Sequence, residues 1–185
     1  MQENRGRTAD WWVPHPLGNY RHSFFISHVR EDLTNVRRLK RSLDRRIRLS
    51  SPHVPPCFLD CDDWPHGKPT APAIRDALGA SEFPVVWVTP RFMNSSRGWI
   101  WFELAYGQLI EQSLNLGRPD WALPYVLAVF REIDIESVAP SPLLEYWGRS
   151  VVAAHESLNV AKIAERLAKV RTRHLPERNS PFAAS

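Results

Sequence analysis

The sequence predicts an α/β domain in which a parallel sheet lies between two layers of helices. Short apolar runs and helical patterns alternate from residue 23 to residue 173, the succession expected of strands joined by crossover helices. One run, Phe83-Pro84-Val85-Val86-Trp87-Val88-Thr89, is apolar on both faces, as a central parallel strand covered on each side must be. The 185 residues, 43% hydrophobic and 24% charged, suffice for one core and exclude disorder of the whole chain. Right-handed crossovers leave a few doubly wound arrangements, and in each the carboxyl ends of the strands share one edge where ligands bind. Ser27, Asp60 and Thr89 fall at such ends.

Residues 1–20 contain Pro14, Pro16 and Gly18 without periodicity and read as an irregular arm anchored by Trp11 and Trp12. Ser23-Phe24-Phe25-Ile26-Ser27 is a short buried strand. Leu33, Val36, Leu39, Leu43 and Ile47 recur at three- and four-residue steps, which predicts an amphipathic helix over 31–46 with its arginines toward solvent. Cys57-Phe58-Leu59 is the second strand. Residues 60–70 hold Asp60, Asp62, Asp63, Pro65, Gly67 and Pro69, which resist helix and strand and predict an exposed connection. Ala73, Ile74, Ala77 and Leu78 mark the inner face of a short helix. The third strand is 83–89, with Pro84 suited to its first turn or edge. Phe102, Leu104, Tyr106, Leu109 and Ile110 predict a largely buried helix over 99–112. Residues 123–130 form a fourth strand and Val151-Val152-Ala153-Ala154 a small fifth. Val160, Ile163, Leu167 and Val170 stripe a last helix over 159–173, and 175–185 is a polar, proline-bearing tail expected to be mobile. The domain thus spans 21–174.

Glu3, Arg5, Arg7 and Asp10 precede any apolar run, which argues against a secretory signal, and no segment is apolar enough to span a bilayer; a cytoplasmic protein is the expectation. Two cysteines are too few for a disulfide framework and read as free thiols. The net charge of +4 invites a nucleic-acid partner, but the arginines between 37 and 48 are explained as the solvated face of the first helix. Cys57, Cys61, Asp62 and His66 lack the spacing of a metal site, so no metal is expected. The G-x-S-x-G, H-E-x-x-H and G-x-G-x-x-G patterns are absent.

Trp99-Ile100-Trp101-Phe102-Glu103 sets a carboxylate among aromatic residues near a helix start. Desolvation raises the pKa of such a group, and a buried acid without a local cation is costly unless a ligand or reaction needs it, so Glu103 is the leading catalytic candidate. The competing reading is an acid that interacts with its own helix N-terminus.

Phe25-Ile26-Ser27-His28 followed by Glu31-Asp32, Phe58-Leu59-Asp60 with a loop closing at Gly67, Thr89-Pro90-Arg91-Phe92, and Trp99-x-x-x-Glu103-Leu104 together resemble the successive signatures of a TIR domain, over residues 23–170. The resemblance implies a flavodoxin-like five-stranded parallel sheet in the order 2-1-3-4-5. It also implies cleavage of the nicotinamide–ribose bond of NAD+, a substrate rather than a cofactor, by Glu103, with Ser27 and His28 bordering the nucleotide. Asp60 would stand at the pocket mouth, Trp99 beside the reacting end and Trp64 over it. The chain resembles the stand-alone bacterial TIR proteins of antiphage defence. The resemblance implies hydrolysis of NAD+ to ADP-ribose or closure to a cyclic or variant product, self-association through TIR–TIR contacts, and either a signal to a separately encoded effector or depletion of NAD+. The sequence departs from the family after Gly67, where Lys68, Pro69 and Pro72 stand in place of an acidic residue. The alternatives are a non-catalytic TIR module that recruits other TIR domains, and a receiver-like domain with Asp60 as principal acid.

Overall fold

The computed structural model describes residues 20–50, 53–63, 70–95, 98–115, 125–133, 151–153 and 159–179. These form strand β1 (His22–Ser27), a 3-10 turn (Arg30–Asp32), helices α1 (Leu33–Ser50), α2 (Asp60–Asp63) and α3 (Thr70–Gly79), strand β2 (Ser81–Val88), helices α4 (Pro90–Met93) and α5 (Gly98–Asn115), strands β3 (Leu127–Phe130) and β4 (Val151–Ala153), and helix α6 (Val160–Asn179). The arm over 1–19 and residues 180–185 lie outside the described residues.

The strands form one parallel four-stranded sheet in the order β1-β2-β3-β4. The expected strand at Cys57-Phe58-Leu59 is present only as an isolated parallel bridge from Phe58 to Phe25. Phe58 N donates to Phe24 O at 2.7 Å and Ile26 N to Phe58 O at 3.0 Å, on the edge of β1 away from β2. Pro55 and Pro56 bring no N–H to a ladder and α2 begins at Asp60, so the pairing is short.

Alternation along the strands divides the core into two layers. Phe24, Ile26, Phe83, Val85, Trp87, Leu127 and Val129 meet Val36, Leu39, Leu43 and Ile47 of α1 and Ile163, Ala164 and Leu167 of α6. On the other face Val86, Val88, Ala128 and Phe130 meet Leu104 and Ile110 of α5, while Phe25 meets Ile74, Ala77 and Leu78 of α3. β2 is buried at every position, its polar Ser81 and Glu82 as well as the apolar run from Phe83. Pro84 sits inside that strand opposite Phe25, but ahead of the β2–β3 register, which starts at Val85.

Three expectations are corrected. Residues 60–63 are a helical turn rather than an irregular connection, because Asp62 pairs with Arg37 (Nε–Oδ1 3.0 Å) and Asp63 accepts from Lys40 Nζ at 2.9 Å and from its own Leu59 N at 2.7 Å. The acids thereby neutralise two cations of α1 that the periodicity assigns to solvent. α5 is buried on one face only: Glu103, Leu104, Gly107 and Ile110 point inward, whereas Phe102 is 36% and Leu109 45% exposed. α6 starts on an Asn159 cap, whose Oδ1 accepts from Lys162 N at 3.0 Å, and continues to Asn179 past the end of its apolar stripe.

α5 is fastened to the sheet at its amino edge, two turns beyond Glu103. Glu111 Oε2 accepts from Tyr125 N at 2.8 Å and Val126 N at 2.9 Å, and Tyr125 Oη donates to Leu78 O at 2.8 Å. Gly107, one turn beyond Glu103, is in close contact with β3's approach: a Cβ there would stand 2.8 Å from Val126 Cγ2, on a buried, stiff β-branched side chain. Gly107→Ala is therefore expected to lower stability by about 1–2 kcal/mol, overpacking outweighing the roughly 1 kcal/mol gained in helix propensity. Thermal unfolding checks it; a raised melting temperature would mean that propensity wins.

Candidate active site

Four side chains converge where β1 ends. Ser27, the last residue of β1, is 3% exposed and its hydroxyl donates a short hydrogen bond to Oε2 of Glu103, which α5 carries inward at 8% exposure. Burial pushes the Glu103 carboxyl up to about 8; the Ser27 hydrogen bond opposes that shift, and the negative charge of Asp60 adds to it. His28 follows Ser27 and points toward Asp60, its Nδ1 3.8 Å from Asp60 Oδ1. Burial lowers the imidazole pKa, against the opposing pull of Asp60. Asp60 opens α2 and is 41% exposed, so this carboxylate faces solvent at the rim while Glu103 lies behind it.

The position suits a ligand site. The flanks of β1 are the Phe58 bridge on one side and β2 on the other, so the chain reverses its direction of winding beside β1, and crevices at carboxyl ends form at such reversals. The aromatic rings of α5 differ from expectation. Phe102, 36% exposed, and Tyr106, half-buried against the core, stack on each other at 6.3 Å. The side chains of Trp99 and Trp101, and all of Trp64, lie outside the described residues, as does His66.

Asp32 and Thr89, both in the TIR-like boxes, are partners at this edge. Asp32 is 4% exposed; it accepts from Thr89 Oγ1 at 2.6 Å and has Arg91 at 3.6 Å. Thr89 in turn caps α4 by accepting from Phe92 N at 3.2 Å. This bond joins the turn after β1 to the end of β2, and because its partners lie far apart in the chain no local pattern reveals it. Cys61 neighbours Asp60 and is exposed, with its thiol pushed up to about 11 by partial burial and by Asp62 and Asp60. Cys57 is buried with Sγ 3.5 Å from Ser23 Oγ and burial raises its pKa strongly. Both thiols are free. Cys57 therefore faces the core, and Asp62 faces Arg37.

The arrangement offers a sequestered acid fixed by a hydroxyl, a largely neutral imidazole and an exposed carboxylate. Such a surface suits a cationic, hydroxyl-rich ligand better than an anionic one. No helix among the described residues is long and apolar enough to cross a membrane. No protein-family profile matches the chain, and no curated protein matches it in sequence.

Proposed function

We propose that this chain is a TIR-type NAD+ nucleosidase in which Glu103 stabilises the ribose cation left when nicotinamide departs. The observation that carries the reading is the burial of Glu103 against Ser27, beside Asp60, at the carboxyl edge of a parallel sheet. It is supported by the order of the four TIR-like boxes along the chain. The Phe58 bridge on the outer edge of β1 favours the flavodoxin-like order 2-1-3-4-5 for the complete sheet.

The reaction needs one acid. The C1′–N bond breaks with its electron pair passing to the pyridinium nitrogen, so nicotinamide leaves neutral and requires no proton, unlike the leaving groups of ordinary glycosidases with their two carboxyl groups. Positive charge then collects on C1′ and the ring oxygen. Ionised Glu103 stabilises that charge and binds the ribose hydroxyls, while the Ser27 hydroxyl holds the carboxylate in place. The substrate's own cation favours the ionised form as it enters. His28 and Asp60 border the nucleotide. Water captures the cation to give ADP-ribose and a proton, or an adenine nitrogen captures it to give a cyclic product. In the setting that fits best, a cytoplasmic antiphage system, the product signals to a separately encoded effector or NAD+ is exhausted.

The exposed Phe102 and Leu109 on α5 favour self-association as part of the working state, and they equally suit a TIR module that only recruits partners. One assay separates the two. Purified protein at high concentration is incubated with NAD+ and nicotinamide is followed by chromatography, with Glu103→Gln alongside. Release by the native chain alone is expected; inertness of both, even when crowding agents force assembly, would leave the recruiting module. Mass analysis of the product identifies hydrolysis or cyclisation.

A further inference from the structure

We propose that His28, Asp60 and Cys61 form a binding site for a thiophilic divalent transition-metal ion of the zinc class. One ligand atom from each, an imidazole nitrogen, a carboxylate oxygen and a thiol sulfur, lies within 4.8 Å of the other two. Nitrogen, oxygen and sulfur donors together select zinc and its neighbours over magnesium or calcium, which take oxygen alone.

The cluster is more than neighbouring polar groups. The His28 side chain is only 5% exposed, yet its Nδ1 makes no hydrogen bond among the described residues, and Asp60 Oδ1 faces it at 3.8 Å, beyond hydrogen-bond reach. A buried imidazole nitrogen left in that state forfeits a hydrogen bond's worth of stabilisation, which coordination would restore. The other two donors sit on a braced turn. Asp60 and Cys61 are consecutive in α2, which Arg37 holds through Asp62 and Lys40 holds through Asp63.

Charge and geometry agree with a dication. A thiolate and a carboxylate match its charge, the imidazole coordinates neutral, and three protein donors leave a fourth position of the tetrahedron open. Bonds of roughly 2.0–2.3 Å put tetrahedral donors roughly 3.3–3.8 Å apart, so the present spacing closes by about 1 Å on binding. Asp60 and Cys61 are at the surface and make that adjustment by side-chain rotation that gives up the bonds from Cys61 N to Asp60 Oδ1 (2.7 Å) and from Cys61 Sγ to Asp62 Oδ1 (3.6 Å), while buried His28 is the fixed point. The site shares His28 and Asp60 with the surface proposed for the nucleotide but uses neither Ser27 nor Glu103, and its test reads metal binding directly, without nucleotide turnover.

The whole chain, freed of metal, is titrated with Co2+ and then with Zn2+. One equivalent of Co2+ is expected to give thiolate-to-metal charge-transfer absorption, which one equivalent of Zn2+ abolishes. Cys61→Ser, a surface change that spares the fold, removes the absorption; Asp60→Asn weakens Zn2+ binding at least about tenfold. Cys57→Ser leaves both readouts unchanged. Absence of the absorption in the native chain, its survival in Cys61→Ser, or its loss only in Cys57→Ser would each overturn the proposal.

Discussion

Glu103→Gln is expected to reduce nicotinamide release from NAD+ by about a hundred- to a thousandfold, the range for removal of a group that stabilises charge only in the transition state. Glutamine preserves the volume and still accepts from the Ser27 hydroxyl, so the loss reports charge rather than packing. The pH profile gives an independent check. With the free-enzyme carboxyl at about 8, kcat/KM rises with pH and levels off near that value, because the anion is the working form. The midpoint for kcat lies lower, since bound pyridinium favours the carboxylate. A kcat/KM that stays flat from about pH 6 to about pH 9 would take this acid out of the reaction.

The same burial has a stability cost with a definite sign. The folded value of about 8 stands above the ordinary 4.5, so the folded chain keeps a proton that the unfolded chain releases. The stabilisation from that proton is complete below 4.5 and disappears as pH rises through about 8, at about 1.4 kcal/mol per pH unit across the window. Glutamine carries no such dependence. The melting temperature of Glu103→Gln should therefore gain on that of the native chain as pH climbs through this range, and a constant difference would show that the carboxyl group is not sequestered.

Arg171→Ala is expected to destabilise the fold by about 3–5 kcal/mol, a fall in melting temperature on the order of 10 °C. Arg171 of α6 grips Glu82 of β2 with both Nε and Nη2, the latter at 2.8 Å, and their side chains are 11% and 6% exposed. Removing one partner strands a charge in the interior, which is the expensive event. Glu82→Leu combined with Arg171→Leu removes both charges and should recover most of the loss, since a well-packed apolar pair replaces a buried ion pair at little cost. If the double variant is as unstable as the single, the pair contributes direct attraction beyond its own desolvation.

Periodicity exposed most of the secondary structure because the strands and the helices α1, α3 and α6 bury one face or both faces in a regular repeat. It was less informative where tertiary pairing overrides local preference. Nothing in the aspartates of residues 60–63 announces a helical turn; the turn forms because α1 presents Arg37 and Lys40 to it. The aromatic composition of α5 suggests burial all round, yet Phe102 and Leu109 are exposed because only one side of the helix meets the sheet. Glu103 was legible from its apolar setting. Its partner in Ser27 and the Asp32–Thr89 bond were not, since each joins residues more than fifty positions apart.

The amino-acid order alone determined the α/β class, the parallel character of the buried strands and the presence of an acid in an unfavourable medium, because hydrophobic repeat and residue chemistry are local properties. Only the tertiary structure decided that Glu103 meets a serine hydroxyl, that His28 turns an unsatisfied nitrogen toward Asp60 and Cys61, and that Glu82 is matched by Arg171. Those pairings depend on how crossover helices bring distant strand ends to a common edge. A contact across such a distance is specified by the packing of the whole sheet and leaves no signature in the residues around either partner.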